Sequence, residues 1–174
     1  KVIMNDSEQI KQELFQLAFD IKSLLSNKNK TLSLAESCTG GGISSVISSI
    51  PGASEYFIGS VVAYQNEVKV KLLEVPYRFI DEYDVVSPEV VERMVEGACR
   101  LFQSDYAIST SGYAGPTGGS DKVSIGTICI GYGKPSDIRS FVCHLHNDRD
   151  SNVLITILKA LKLFKEYIES DLLQ

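Results

Sequence analysis

This sequence predicts an α/β fold: a single three-layer α/β/α domain with a mostly parallel, mixed sheet. Three observations lead there. Segments with helical apolar spacing alternate with short runs rich in β-branched and aromatic residues, the order that builds parallel strands joined by helices. Two glycine-rich stretches, Gly40-Gly41-Gly42 and Ser111 to Ser120, each follow a strand-like run directly, where ligand loops of such sheets lie. Late in the chain, two strand-like runs flank Gly133-Lys134-Pro135-Ser136-Asp137, which reads as a hairpin and adds antiparallel pairing. A chain of 174 residues fits one domain over residues 1–174 with a sizeable core.

The elements follow in order. Asp6 with Gln9 three residues on reads as a capping box for a helix from Ser7 to Leu25, with Ile10, Leu14, Leu17, Ile21 and Leu25 on one face. Asn27 and Asn29 end it, and Thr31 to Ala35 reads as the first strand. The polar elbow and glycines open a second helix from Ile43 to Ile50, and Pro51-Gly52 turns the chain into a second strand, Tyr56 to Tyr64. Asn66 reads as the cap of a short helix bearing Val68, Val70, Leu72 and Leu73, and Tyr77 to Asp84 as a connector with a helical turn. Ser87 as cap, Pro88 at the first helical position and Glu89 at the positive end of the dipole start a helix to Phe102. Its buried stripe is Val90, Val91, Met94, Val95, Ala98 and Leu101. Asp105 to Thr110 is the third strand. Ile125 to Tyr132 and Ile138 to His144 make the hairpin, and Asp148 or Ser151 caps a last helix ending near Leu172.

Bulk properties narrow the function. A net charge of −5 with scattered lysines argues against a general nucleic-acid binder. No apolar run approaches the ~20 residues of a membrane span and no signal peptide is visible, so a cytoplasmic location is expected. The four cysteines, Cys38, Cys99, Cys129 and Cys143, are widely spaced without a CxxC pair and read as reduced thiols. The pair His144-x-His146 lacks a third ligand nearby, so no metal is expected.

The elbow Leu34-Ala35-Glu36-Ser37-Cys38-Thr39-Gly40-Gly41-Gly42 is the most informative segment. A strand, a tight turn and a helix N-terminus within about a dozen residues aim unpaired N–H groups at one spot, where an anion or a developing oxyanion would be stabilised. Ser37 there is a potential nucleophile; from the elbow alone, an N-cap serine is the commoner use. Cys38 is a second potential nucleophile, since a helix N-terminus can depress a thiol pKa, but packing is the favoured role. Lys69, in the first turn of a helix capped by Asn66, would have its pKa lowered by the dipole and by burial, leaving an amine able to accept a proton. A solvated lysine paired with a carboxylate is the commoner fate, and spacing does not decide between them. Tyr64 lies close enough in sequence to relay a proton. Ser111 and Gly112, opening the second loop, offer a hydroxyl and N–H groups, and Arg149 offers a planar fork for phosphate. The alternatives are a turn-rich connection for the loop and an ion pair with Asp148 or Asp150 for the arginine.

Together, Ala35-Glu36-Ser37-Cys38-Thr39-Gly40-Gly41, Val62-Ala63-Tyr64-Gln65-Asn66-Glu67-Val68-Lys69, Val86-Ser87, and Ser111-Gly112-Tyr113-Ala114-Gly115-Pro116 through Gly126-Thr127 resemble the C-terminal domain of the competence-damage-inducible protein CinA. The motifs occur in order over almost the whole chain. Stand-alone bacterial versions of that domain are nicotinamide mononucleotide deamidases. The resemblance therefore implies an amidohydrolase that converts nicotinamide mononucleotide to nicotinic acid mononucleotide and ammonia without metal or organic cofactor. It implies Ser37 as nucleophile, Lys69 as base and Tyr64 as assisting relay. It implies Thr39, Gly40, Gly41, Ser111 and Gly112 around the oxyanion or ligand, Arg149 on the phosphate, and a homodimer. Four positions depart from the family pattern: Gln65 for a common Ser, Tyr113 for a frequent Ile, Asn147 for Gly, and Val153 for a second Arg. The competing class is a non-catalytic nucleotide- or phosphate-binding module.

Overall fold

The computed structural model describes residues 6–173. Five strands form one sheet in the order β2-β1-β3-β4-β5. They are β1 (Leu32–Glu36), β2 (Phe57–Val62), β3 (Tyr106–Gly112), β4 (Thr127–Lys134) and β5 (Asp137–His144). β2, β1 and β3 pair in parallel, while β4 is antiparallel to both of its neighbours. β4 alone is thus reversed, and the sheet is mixed with four of its strands running one way.

Strand alternation divides the core into two layers. Leu32, Leu34, Tyr106, Ile108, Ile128 and Ile130 face α1 (Asp6–Asn27), α2 (Gly42–Ser48) and α6 (Arg149–Leu172). Ala35, Ala107 and Cys129 face the opposite layer, built from α3 (Asn66–Leu73), α4 (Tyr77–Tyr83) and α5 (Pro88–Phe102). The second face uses small residues, so α5 lies close upon the sheet. It also holds α3 close: a Cβ on Gly97 would overlap the backbone carbonyl of Leu73, the last residue of α3. Gly97 therefore fixes the height of the short helix that carries Lys69.

The helix ends show how local chemistry set the boundaries. Ser87 caps α5, accepting from the Val90 N–H at 3.3 Å, with Pro88 at the first position as expected. Asp148, rather than Ser151, caps α6 and accepts from the Ser151 N–H at 3.0 Å. The stripe Leu14, Leu17, Ile21 and Leu25 of α1 is buried, and Asn29 closes the helix at φ 51°. The expected Asp6 capping interaction lies outside the described side chains.

Several expectations are corrected. Gln65, not Asn66, is the N-cap of α3, so Lys69 sits one position further into the helix. The 77–84 connector is a two-turn helix. β3 runs through Gly112, so Ser111 and Gly112 end a strand rather than open a loop. The β4–β5 turn is two residues, Pro135-Ser136, because Lys134 pairs with Asp137. Leu101 is 46% exposed. α5 ends beside the sheet edge, where the ring of Phe102 instead covers the bare Cα of Gly59 on β2. Among the described residues, no helix is long and apolar enough to cross a membrane.

Candidate active site

A cavity of about 410 Å³ opens beyond the C-terminal ends of β1 and β3. This is the edge where ligands of such sheets bind, and its size suits a small molecule. It is lined by Ser37, Cys38 and Lys69, by Tyr64, Asn66 and Arg149, and by Val85, Val86, Ser111, Gly112, Tyr113, Ala114 and Thr117.

Ser37 is the first residue past β1. Its N–H continues the parallel ladder to the Thr110 carbonyl at 3.0 Å, which fixes its backbone on β3. Lys69 reaches it from α3 across 32 residues, with Nζ 3.1 Å from Ser37 Oγ. Two carbonyl oxygens hold the same nitrogen, Ala63 O at 2.7 Å and Tyr64 O at 3.3 Å. Lys69 is only 1% exposed, and no carboxylate pairs with it among the described residues. Burial lowers its pKa from 10.5 to about 8. The surface-lysine alternative is therefore overturned, and burial, not the helix dipole, leads the shift. A neutral amine has two N–H groups and one lone pair. The two carbonyls accept both hydrogens, which leaves the lone pair for the Ser37 hydroxyl proton.

The helix N-terminus is not free to bind a ligand. The carboxylate of Glu36, fully buried, accepts the Ile43 N–H at 2.8 Å and the Ser44 N–H at 2.9 Å, along with the hydroxyls of Thr39 and Ser44. The chain supplies its own anion at the mouth of α2. Thr39 is drawn into this cluster, bonding Glu36 and Thr110, and the Gly40 N–H turns back to the Ser37 carbonyl. Thr39, Gly40 and Gly41 do not line the cavity. Gly40 and Gly41 serve the turn itself, with φ of 57° and 93°.

Cys38 is buried and its thiol pKa is pushed up to about 12 by desolvation. It lies against the Cα of Gly112, which has no room for a side chain between Cys38 and Ile128. This is packing, and the opposite of an activated thiolate.

Of the second loop's expected contributors, Ser111 points its hydroxyl at the Val85 carbonyl, 2.8 Å away, and so ties β3 to the cavity's far wall. Ladder parity assigns the N–H groups. Tyr113 N–H bonds the Thr127 carbonyl on β4, so odd residues of β3 donate that way and even ones toward β1. β1 ends at Glu36, so the Gly112 N–H points past the end of the strand, toward Ser37. Tyr64 and Arg149 meet at the rim: Arg149 Nη2 donates to the Tyr64 hydroxyl at 3.0 Å and Nη1 to the Gly115 carbonyl at 2.8 Å. The guanidinium pairs with neither Asp148 nor Asp150. The Tyr64 hydroxyl is thus directed to Arg149, and the tyrosine meets Lys69 through its backbone carbonyl.

Asp84 escaped sequence reasoning. Its backbone lies at φ 81°, ψ 153°, a region almost confined to glycine and costing on the order of 1–3 kcal/mol. No sequence signal marks this conformation. Glu36 left one: a carboxylate ending an apolar strand immediately before a helix N-terminus. Asn152, 2% exposed on α6, was also missed; its amide donates to the Ala114 carbonyl at 3.0 Å and supports the cavity wall.

The family model of the CinA C-terminal domain matches residues 14–168. This chain belongs to the CinA C-terminal domain family. Among relatives of the family, a CinA-like protein of Cytophaga hutchinsonii is 39% identical over 153 residues, 88% of this chain and 37% of that protein. One of Pseudothermotoga lettingae is 49% identical over 118 residues, 67% of this chain and 29% of that protein. The chain spans about a third of the length of such curated relatives. The fold resembles the crystal structure of competence damage-inducible protein A from Klebsiella pneumoniae, with TM-score 0.86 and 26% identity, covering 90% of this chain and 97% of that one. It also resembles a CinA superfamily protein from Escherichia coli, with TM-score 0.83 and 26% identity, covering 92% and 91%. The CinA family thus accounts for the mixed sheet and for the order of the motifs.

Proposed function

We propose that this CinA-family domain is a serine amidohydrolase that hydrolyses the carboxamide of nicotinamide mononucleotide to nicotinic acid mononucleotide and ammonia. The observation that supports it most is the buried Lys69 amine 3.1 Å from Ser37 Oγ. A hydroxyl needs a base to become a nucleophile, and a lysine with pKa about 8 is partly neutral near neutrality.

In this mechanism Lys69 Nζ takes the Ser37 proton as Oγ bonds to the amide carbon. The carbonyl π pair moves to oxygen, and in this reading the Gly112 N–H donates to that oxyanion. As the oxyanion collapses, the C–N bond breaks and the Lys69 ammonium gives its proton to the departing amine, releasing ammonia. The acyl-serine ester is then attacked by water, with Lys69 again as base, giving the acid and free Ser37. Arg149, steadied by Tyr64 and Gly115, takes the phosphate at the rim. Thr39, Gly40 and Gly41 act on the site indirectly, by shaping the elbow that presents Ser37. No step needs a metal or an organic cofactor.

The test is ammonia release from nicotinamide mononucleotide by purified protein. Steady release is expected from the wild type, with at least about a thousandfold loss in folded Ser37→Ala. Release that persists in Ser37→Ala would overturn the mechanism. Ligand-induced thermal stabilisation without product in the wild type would favour a binding module.

A further inference from the structure

Behind the cavity lining lies a third polar assembly that the mechanism does not use. Asp84 is 7% exposed, and its carboxyl accepts three hydrogen bonds: from the Val86 N–H at 2.8 Å, the Tyr113 hydroxyl at 3.1 Å and the Ser120 hydroxyl. Its own carbonyl accepts from Ser87 Oγ at 2.7 Å, and it forms no ion pair among the described residues. Two lining segments, 85–86 and 112–117, are thereby stapled to one side chain. The Tyr113 ring is held at its hydroxyl by Asp84 and flanked by the Cα of Gly118, where a Cβ would come within 3.2 Å of the ring. Burial and the Asp84 carboxylate push the Tyr113 phenol up to about 12, so it stays a donor. A phenol committed in this way offers a substrate its ring rather than its hydroxyl.

The charges around the cavity give this ring a purpose. Among the described residues lining it there is no carboxylate, while Lys69 and Arg149 are both bases. With no carboxylate in the lining, a planar cationic group bound there is met by the aromatic face of Tyr113. We propose that Tyr113 is the specificity-determining residue of this site, selecting a planar cationic ring, and that Asp84 is its positioning residue. The inference rests on the amidohydrolase reading for the substrate class: oxidised nicotinamide nucleotide carries a pyridinium cation, whereas its reduced form carries a neutral dihydropyridine with the same carboxamide and phosphate. Val85, Val86 and Ala114 would accept either ring.

The experiment measures calorimetric Kd for nicotinamide mononucleotide and its dihydro form in a Ser37→Ala background, which removes turnover. The parent is expected to prefer the cation by roughly tenfold. Adding Tyr113→Leu should erase the preference by weakening the cationic ligand alone, leaving the neutral one within about twofold. Asp84→Ala should do the same, while Asp84→Asn, which keeps an oxygen for the phenol, should retain most of it. Circular dichroism checks folding, and Tyr113→Leu tests the point should Asp84→Ala not fold. Equal weakening of both ligands, no preference in the parent, or no binding of either ligand would overturn the assignment. The wild-type ammonia assay separates the two readings. Preference without turnover would defeat the hydrolase and leave Tyr113 as the selector of a binding site. Turnover with equal weakening would defeat only the Tyr113 assignment.

Discussion

The two glycine-bearing turns of this domain look alike in sequence and do opposite work. The elbow after β1 is closed on itself: Glu36 fills the mouth of α2, Thr39 and Ser44 complete its shell, and of its residues only Ser37 and the inert thiol of Cys38 reach the cavity. The segment after β3 is open: Tyr113, Ala114 and Thr117 line the cavity together with Gly112 at the strand's end, while their outer partners hold them in place. A helix N-terminus is a site for a ligand only where the chain leaves its N–H groups unpaired. Here an internal carboxylate takes that place, and the elbow's rigidity serves the aim of one hydroxyl.

The largest effect expected on activity comes from the elbow's partner. Lys69→Met keeps the stem and removes the base, and the ammonia-releasing rate should fall by a thousandfold or more. The same change should stabilise the fold. With a pKa of about 8 against 10.5 unfolded, the buried cation costs on the order of 3 kcal/mol below pH 8. Allowing for the lost hydrogen bonds, a gain of about 1–2 kcal/mol at pH 7 is expected by urea denaturation. Between pH 8 and 10.5 the folded protein sheds a proton that the unfolded chain keeps, so wild-type stability rises with pH and the gap narrows. In the wild type, kcat/KM should climb as pH passes about 8, because only the neutral amine is a base. A flat profile from pH 7 to 9 would remove Lys69 from that role.

The next effect falls on stability and probes the closed turn. Glu36→Ala leaves the Ile43 and Ser44 N–H groups buried and unpaired, and should cost about 3–5 kcal/mol. Ser111→Ala, which loses one hydroxyl bond to Val85, should cost about 1 kcal/mol. If the vacated helix mouth then behaves as an anion site, millimolar phosphate should raise the Tm of Glu36→Ala and leave that of Ser111→Ala unchanged. Similar losses in both variants would erase the distinction between the turns.

That distinction was only partly legible in the sequence. Periodicity and capping placed the elements, because Ser87-Pro88-Glu89 and the stripe from Leu14 to Leu25 act locally. Errors arose where tertiary contacts decide. Leu101 fits the helical stripe of α5 but lies where the helix reaches the sheet edge, and Phe102 takes the contact instead. The pairing of Ser37 with Lys69 spans 32 residues and came from family resemblance, not spacing. Asp84 could not be found, since nothing in Tyr83-Asp84-Val85 indicates a backbone normally reserved for glycine.

The smallest effect is expected at Tyr64 and sharpens the comparison most, because this residue lies between the catalytic pair and the open rim. Its carbonyl belongs to the Lys69 cradle and survives any substitution. The residue is 57% exposed, with its hydroxyl on Arg149. Tyr64→Phe should therefore leave kcat within about twofold and raise KM about three- to fivefold, the worth of one hydrogen bond that orients a charged group. Arg149→Ala should act in the same sense and more strongly, and the double variant should show no further loss from Tyr64, since the hydroxyl acts through the guanidinium. A hundredfold fall in kcat for Tyr64→Phe, undiminished in the Arg149→Ala background, would instead make the phenol a proton relay, with the ring turned from the rim onto the Ser37–Lys69 pair during turnover.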